Sequence, residues 1–297
     1  MRIEGILPAL LTPMDGSGKV NPTVLKSMVQ WLFDRGVHGL YVCGTSGEGL
    51  LLSAEEREQV LEWAIEATAG RGKVIAHVGA ISTMESVRLA KHAAKVGADA
   101  VSSIPPFTYG RNAHGMRAHY QAINDATELP LYLYNIPSLT AVNVTAAMVK
   151  PLLELKNIRG IKFSDPNLFA EFELVSIGKG FDVLHGYDET LLYSFMVGTV
   201  GGIGLTYNFM PSLFVELYRS FKNGEWQRAN ELQLKASRMI DCFLKHAGKS
   251  PVGYAKGLMG ILGIDCGPAR APNPSVSENE LSAMKADLEA IGFFGCQ

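Results

Sequence analysis

Short apolar runs alternate along the chain with longer amphipathic stretches. Most of these runs are about four to six residues long and apolar at consecutive positions, which is typical of strands buried on both faces of a parallel sheet. Successive runs lie about 20–35 residues apart, the length of one β/α unit. The pattern predicts eight strands, at residues 6–11, 39–43, 74–78, 100–104, 131–134, 160–163, 183–185 and 201–204.

Helix signals fill the intervals between the runs. Asn21 and Pro22 predict a helix start, with asparagine as N-cap and proline at the first helical position. Ser53, followed by glutamates, predicts a second start, and Gly97 ends the helix predicted at 82–96. Eight strands alternating with eight helices predict an α/β fold, a (β/α)8 TIM barrel. An open doubly wound sheet is the alternative, but no G-x-G-x-x-G turn follows the first run, so no dinucleotide site is expected.

The C-terminal part of the sequence carries helix signals without further strand signals. We therefore expect a barrel domain over residues 1–223 and a C-terminal α-helical domain over residues 224–297. The predicted helices of the second domain cover residues 225–246, 253–262 and 277–291, with a proline-rich extended connector at 268–274.

Composition narrows the classes of function. The chain has 297 residues, 47% of them hydrophobic and 19% charged, which excludes intrinsic disorder. Lys and Arg total 27 against 29 Asp and Glu, so no basic excess predicts nucleic-acid binding. The four cysteines, Cys43, Cys242, Cys266 and Cys296, form no C-x-x-C pair. They predict reduced thiols in a cytoplasmic protein rather than disulfides or a zinc site.

Two segments resemble membrane signals, and neither predicts one. Residues 5–14 are apolar but short and interrupted by prolines, unlike a secretory signal. Residues 190–215 carry no charge and are long enough to span a bilayer. Glycines and Pro211 divide this second segment into helix, strand and helix, so we interpret it as the most deeply buried part of the fold.

The active site of such a barrel lies at the C-terminal ends of its strands. Lys162 is the most informative residue there, because it lies inside a run that should be buried. Burial disfavours the charged ammonium, and the neutral amine is the form that attacks a carbonyl to make a Schiff base. A lysine at the barrel rim whose ammonium reaches water is the alternative, and the residues alone do not decide between them.

Tyr134 ends the preceding run, 28 residues before Lys162. That spacing is one β/α unit, so the two residues should be neighbours. Tyr134 is either a core residue with a hydrogen-bonded hydroxyl or a proton shuttle to the substrate. As a base near neutrality, a phenol needs help from neighbouring groups.

Other polar groups follow neighbouring runs. Thr45 and Ser46 lie in a glycine-flanked turn whose N–H groups and hydroxyls suit a carboxylate, although such clusters are usually plain turns. Asp188 and Glu189 either favour a helix N-terminus or accept hydrogen bonds from sugar hydroxyls. The seven histidines show no metal-ligand spacing, so no metal is expected. Schiff-base chemistry on Lys162 would also require no organic cofactor.

Five motifs in order, GTSGE, YNIP, GIK, GYDE and GGIG-x-TYN, resemble the pyruvate-dependent class I aldolase family, which includes dihydrodipicolinate synthases and N-acetylneuraminate lyases. The resemblance covers nearly the whole chain. It implies a barrel with C-terminal helices, a homotetramer, Lys162 as Schiff-base lysine and Tyr134 as proton shuttle. It also implies substrate-binding positions at Thr45, Ser46, Ser164, Gly186, Asp188, Glu189, Gly204 and Leu205.

Within this family the motifs favour the lyase branch. Where synthases carry an arginine after YN[VI]PS, this chain has Leu139. Two departures remain: Leu205 stands where many members have serine, and Thr108 where many have a tyrosine that reaches the neighbouring subunit. Tyr109 is the candidate to replace that tyrosine.

The implied function is cleavage of a 2-keto-3-deoxy sugar acid, first among them N-acetylneuraminate, to pyruvate and N-acetylmannosamine. A dihydrodipicolinate synthase or another 2-keto-3-deoxy acid aldolase is the nearest alternative. A non-catalytic pyruvate or sugar-acid sensor on the same scaffold is an alternative of a different class. All of these require a small-molecule substrate and neither a nucleic acid nor a membrane.

Overall fold

The computed structural model describes residues 2–248 and 250–296, apart from the side chain of Cys296. All eight predicted strands are present, and each is almost entirely buried. They are Gly5–Pro8 (β1), Gly39–Val42 (β2), Lys73–His77 (β3), Ala100–Ser103 (β4), Leu131–Asn135 (β5), Ile158–Phe163 (β6), Asp182–His185 (β7) and Gly201–Gly204 (β8).

The strands form one parallel sheet in the order β1-β8-β7-β6-β5-β4-β3-β2. Backbone hydrogen bonds also join β1 to β2: His38 N donates to Ile6 O, and Leu10 N donates to Tyr41 O, each over 2.9 Å. The sheet is therefore a nearly closed barrel, which confirms the predicted TIM barrel. The strand β1 ends at Pro8 rather than at residue 11, because the next N–H groups bond alternately to β8 and β2.

Helices connect the strands and cover the outside of the barrel. They are Pro22–Asp34 (α1), Ala54–Thr68 (α2), Thr83–Val96 (α3), Ala113–Ala126 (α4), Pro137–Thr140 (α5), Ala146–Val149 (α6), Leu168–Val175 (α7), Leu191–Val197 (α8) and Pro211–Lys222 (α9). The predicted caps are present: Asn21 caps α1, Ser53 and Glu56 form a capping box at α2, and Gly97 ends α3 with a φ of 87°.

Alternate strand residues face two different apolar layers. In β2, Leu40 and Val42 pack outwards against the helices, whereas Tyr41 belongs to a second cluster that fills the barrel interior. Tyr132 and Tyr134 of β5 belong to the same interior cluster. The interior is thus a packed core, and polar chemistry is confined to the ends of the strands.

Three further helices follow the barrel: Trp226–Ala247 (α10), Pro251–Ile261 (α11) and Glu278–Ala290 (α12). Their bounds agree with the predicted helices to within two residues. Residues 190–215 divide into α8, β8 and the start of α9, as predicted. Within the described ranges, no helix combines the length and the apolar character needed to cross a membrane.

Candidate active site

Lys162 lies on β6 and is 4% exposed. Its Nζ lies 4.3 Å from the centroid of the Tyr41 ring and 4.2 Å from that of the Tyr134 ring. Tyr134 is the β5 residue paired in register with Lys162, so the one-unit spacing does make them neighbours. The amine therefore lies near two aromatic faces, an environment that stabilises a positive charge on the nitrogen.

Aromatic neighbours fix the orientation of Tyr134. Its ring meets those of Tyr41 and His77 edge to face, with centroids 5.8 Å apart in both cases. Tyr41 is anchored by a 3.0 Å hydrogen bond from its hydroxyl to Ser102, and His77 by a 3.1 Å bond from Nδ1 to Cys43 O. The hydroxyl of Tyr134 makes no hydrogen bond to the described residues, so it is free to bind a substrate atom.

Two of these neighbours stay uncharged. Burial, together with the nearby Tyr134, raises the pKa of Tyr41 well above its ordinary value. Burial, and then the positive charge of Arg57, holds the pKa of His77 well below its usual range. Neither Tyr41 nor His77 therefore carries a charge next to Lys162 near neutral pH.

The turn after β2, residues 44–49, places Thr45 and Ser46 at the mouth of the barrel. It closes through hydrogen bonds from Glu48 N to Thr45 O and from Gly49 N to Gly44 O, both of 3.0 Å. Among the described residues, no partner is found for the N–H groups of Thr45, Ser46 and Gly47, nor for the two hydroxyls. Consecutive unpaired donors of this kind form an anion-binding concavity.

Ser164 and Gly186 lie against each other on the β6–β7 side. Ser164 is 6% exposed, and its N–H donates to Asn135 O over 2.8 Å. A Cβ added to Gly186 would lie 2.1 Å from Ser164 Oγ, so only glycine fits at this position. The absence of a side chain at Gly186 leaves Ser164 room at the strand end.

Asp188 is buried and already has protein partners. Its Oδ2 accepts hydrogen bonds from Thr206 N (2.8 Å) and Thr206 Oγ1 (2.6 Å). A Cβ on Gly204 would collide with its carboxylate, which explains that glycine. Burial raises the pKa of Asp188 to about 6, and the charge of Glu189 adds to the effect. Asp188 thus joins the β7 and β8 loops, a role that the sequence motif did not indicate.

Glu189 differs from its neighbour, because its backbone rather than its side chain is held. Gln233 Nε2 and Ser237 Oγ of α10 each donate to Glu189 O over 2.9 Å. Its half-buried carboxylate makes no hydrogen bond within the described part of the chain. Leu205 is also half-buried and packs on the main core cluster, so it presents an apolar wall beside these acceptors.

A buried pair behind this segment escaped the sequence analysis. His185 Nδ1 lies 2.7 Å from Glu171 Oε1, and His185 Nε2 lies 2.9 Å from Thr190 Oγ1. Both His185 and Glu171 are fully buried. Through His185, this contact holds Thr190, which directly follows Asp188 and Glu189. The sequence did not predict the pair, because Glu171 and His185 lie 14 residues apart on two different elements.

Two positions near the opening are exposed in the single chain. Tyr109 is 79% exposed and Leu139 is 61% exposed. Within the described residues, the ring contacts of Lys162 and Tyr134 involve Tyr41 and His77 but not Tyr109. Over the described residues, no three His, Cys, Asp or Glu side chains cluster so that they could hold a metal ion.

Comparison with known proteins assigns this architecture. The model of the dihydrodipicolinate synthetase family matches residues 2–291. The chain belongs to that family. The match covers both the barrel and the C-terminal helices.

Individual relatives within the family carry two kinds of name. The N-acetylneuraminate lyase of Rhizobium meliloti (strain 1021) is 39% identical over 291 residues, covering 98% of this chain and 96% of the relative. A structure of the catalytic lysine mutant of Ruminococcus gnavus sialic acid aldolase superposes with a TM-score of 0.92 at 27% identity, covering 97% and 95% of the two chains. A dihydrodipicolinate synthase structure gives a TM-score of 0.89 at 33% identity, covering 98% and 99%.

Proposed function

We propose that this protein is a Schiff-base lyase that cleaves N-acetylneuraminate to pyruvate and N-acetylmannosamine. The observation that carries the proposal is the position of Lys162 Nζ, buried near two tyrosine faces beside Tyr134. The names of the Rhizobium meliloti and Ruminococcus gnavus relatives support this choice of substrate.

In the first step, the neutral Lys162 amine attacks the C2 ketone of the substrate. Tyr134 gives its proton to the departing hydroxyl, which leaves as water, so the products are an iminium ion and the Tyr134 phenolate. The donors of the 44–49 turn bind the substrate carboxylate, which places C2 next to Nζ. The faces of Tyr41 and Tyr134 stabilise the positive iminium as they would an ammonium, without donating a proton to it.

In the second step, the Tyr134 phenolate takes the proton of the C4 hydroxyl, and the C3–C4 bond breaks. The bond electrons flow into the iminium and leave an enamine on Lys162, while C4 departs as the aldehyde of N-acetylmannosamine. Protonation of the enamine at C3 and hydrolysis of the resulting iminium then release pyruvate and restore the amine. Covalent catalysis replaces one difficult carbanion step with several easier ones.

The sugar chain would lie along the β7–β8 side of the pocket. Ser164 supplies a hydroxyl there, and Glu189 supplies acceptor oxygens that no protein group occupies in the described chain. Acceptors arranged in this way suit a polyhydroxylated chain rather than a second carboxylate. This feature favours the lyase over the synthase reading, which calls for a cation where Leu139 lies.

Borohydride trapping tests the proposal directly. Incubation with pyruvate and borohydride should reduce the iminium and attach the adduct to Lys162, as peptide mass mapping would show. Lys162→Ala should abolish both trapping and pyruvate release from N-acetylneuraminate. An adduct on another lysine, or turnover of the alanine variant, would contradict the assignment. Pyruvate release from a panel of 2-keto-3-deoxy acids then separates N-acetylneuraminate from shorter substrates.

We also propose that the active form is a homotetramer. Large apolar side chains are exposed on the single chain around the start of α3 and after β4, and also on α7 and α8, and clustered exposed apolar residues are typical of interaction surfaces. The exposed members are Ile81, Met84, Tyr109, Phe169, Phe172 and Met196. Sedimentation velocity should give a species of four chains, and a monomer would contradict the proposal.

A cytoplasmic location completes the proposal. The thiols of Cys43, Cys242 and Cys266 are free, which is typical of proteins that work in a reducing compartment. The prediction for Cys296 lies outside the described side chains. Fractionation of the source cells should recover the activity with cytoplasmic markers rather than in an oxidising compartment.

A further inference from the structure

A buried ion pair joins the C-terminal helices to the turn after β2. Glu48 Oε2, in the turn, forms a salt bridge with Lys256 Nζ of α11, and both side chains are fully buried. The other carboxylate oxygen, Oε1, accepts hydrogen bonds from Arg270 N (2.6 Å) and Asn273 Nδ2 (3.1 Å). In the part of the chain that the structure describes, every partner of this carboxylate comes from residues 256–273, beyond the barrel.

The same C-terminal segment holds the turn from its other side. Lys256 Nζ also donates to Pro268 O over 2.9 Å, which ties α11 to the connector. Arg270 forms a two-pronged salt bridge with Glu56, at 2.6 and 2.7 Å, and donates to Leu51 O over 3.0 Å. The 3₁₀ turn at Gly49–Leu51 and the first turn of α2 are therefore held by the same C-terminal segment that holds Glu48.

The backbone of Glu48 shows why this clamp matters to the turn. Glu48 has a φ of 57°, in the left-handed region that residues other than glycine rarely adopt. Such a conformation persists where the surroundings determine it. Its N–H closes the turn on Thr45 O, directly beside the unpaired donors of Thr45, Ser46 and Gly47. The direction of those donors thus depends on where the Glu48 side chain is held.

We propose that Lys256 is a positioning residue for the substrate carboxylate, acting through Glu48 on the donors of the 44–49 turn. The inference rests on the proposed Schiff-base function, which it deepens. Lys256 does not touch the substrate, and its charge is neutralised by Glu48. The C-terminal helices therefore contribute to substrate binding without supplying a residue to the pocket.

The energetics of buried pairs give the proposal a recognisable pattern. Removal of one member leaves the other charge buried and unpaired, which is strongly unfavourable, whereas neutral replacement of both members is often tolerated. After loss of Lys256, the Glu48 carboxylate must move towards solvent or take up a proton, and either change alters the contacts that hold the turn. Lys256→Met and Glu48→Gln should each disturb the turn, and the double variant should disturb it less than either.

The test measures the pyruvate concentration that gives half-maximal borohydride trapping at Lys162. We expect Lys256→Met to raise it about tenfold or more, with the maximal trapping rate within about threefold of wild type. Asn273→Ala removes one bond to Glu48 without stranding a charge, so it keeps the fold and should give a smaller rise of about threefold. The matched control is Lys285→Met on α12, where the exposed lysine makes no ion pair with the described residues.

Methyl pyruvate distinguishes a loss of carboxylate binding from a general loss of structure. Its ester carries no negative charge, so its binding does not depend on the anion-binding donors of the 44–49 turn. Trapping of methyl pyruvate should change little in every variant, and circular dichroism should match wild type. Half-saturation by pyruvate that stays at the wild-type value in both Lys256→Met and Asn273→Ala would overturn the inference, as would an equal loss with methyl pyruvate. Wild-type protein that forms no adduct at Lys162 would instead overturn the proposed function itself.

Discussion

The turn after β2 and the segment after β7 both lie at the C-terminal ends of barrel strands, but they leave opposite kinds of polar group unpaired. Among residues 2–248 and 250–296, the turn leaves donors without partners: three N–H groups and the hydroxyls of Thr45 and Ser46. The β7 segment leaves an acceptor, because the carboxylate of Glu189 makes no hydrogen bond within the described residues. We therefore expect a substrate with a carboxylate at one end and hydroxyls at the other to bind with its carboxylate at the turn.

The two regions also differ in how firmly they are fixed. The donors of the turn are mostly backbone groups, and glycines at positions 44, 47 and 49 pack so closely that an added Cβ would approach other atoms within 2.7 Å. The acceptors of the β7 segment are side chains, one of which is already bound to Thr206. Changes of sequence can therefore alter the sugar side more readily than the carboxylate side. The variants below test this contrast, in order of decreasing effect.

Tyr134→Phe should have the largest effect on activity, because in the proposed mechanism Tyr134 takes the proton whose removal breaks the C3–C4 bond. The variant keeps the ring beside Lys162, so pyruvate should still form the Schiff base. We expect kcat for cleavage to fall ~10²–10⁴-fold, the usual range for one general acid–base group. Steady-state kinetics and borohydride trapping measure the two effects separately. A near-normal kcat would reduce Tyr134 to a packing residue.

Glu189→Ala should weaken binding of the sugar chain without affecting binding of pyruvate. The variant removes acceptors that the described chain leaves unpaired, and a site built to bind hydroxyls loses about 1–3 kcal/mol for each good hydrogen bond to a charged group. KM for N-acetylneuraminate should rise roughly 10–100-fold, with half-saturation by pyruvate in trapping unchanged. Ser237→Ala, which removes a bond to the Glu189 backbone, is the control and should have a smaller effect. An unchanged KM would remove Glu189 from the sugar site.

Asp188→Asn tests whether the buried carboxyl of Asp188 contributes to the pH dependence of stability. Because its folded pKa of about 6 lies above the ordinary value near 4, the folded protein binds more protons than the unfolded chain between these pH values. The free energy of unfolding should therefore fall as pH rises from about 4 to about 6, by at most ~1.4 kcal/mol per pH unit, and level off above. The asparagine variant lacks this component.

Urea denaturation of both proteins across that pH range measures the difference. Wild-type stability minus that of Asp188→Asn should decrease with pH and become constant above about pH 6. A difference that is flat throughout would show that burial does not raise the pKa of Asp188.

Leu205→Ser should have the smallest effect. An apolar wall discriminates weakly between substrates, and Leu205 is only half-buried. We expect kcat/KM for N-acetylneuraminate to change by less than about threefold, with any gain confined to longer sugar chains. A large loss of kcat/KM, measured with 2-keto-3-deoxy acids of different length, would contradict this expectation and show that Leu205 determines which substrates fit the pocket.

The sequence was most informative where a repeating pattern determines the structure. Buried runs at regular spacing predicted all eight strands, and the spacing of one β/α unit predicted that Tyr134 and Lys162 are neighbours. The strand pattern also contained Tyr41, but nothing marked it as the second ring beside Lys162. Its role depends on which strand residues point inwards across a closed barrel.

Contacts between distant segments gave no local signal. The partners of Glu48 lie more than 200 residues further along the chain, and only the docking of α11 on the barrel brings them together. Thr206 satisfies Asp188 across two loops in the same way. A motif identifies a polar residue at a strand end, but it does not show whether other protein groups already form hydrogen bonds with that side chain.

The rings of Tyr41 and Tyr134 also absorb in the near ultraviolet, and Lys162 Nζ lies within 4.3 Å of both ring centroids. Conversion of the amine to an iminium fixes a positive charge there and changes the field that both chromophores experience. A tyrosine difference spectrum should therefore accompany Schiff-base formation. The enzyme would report its own covalent intermediate optically, in real time and without a coupled assay or an added label.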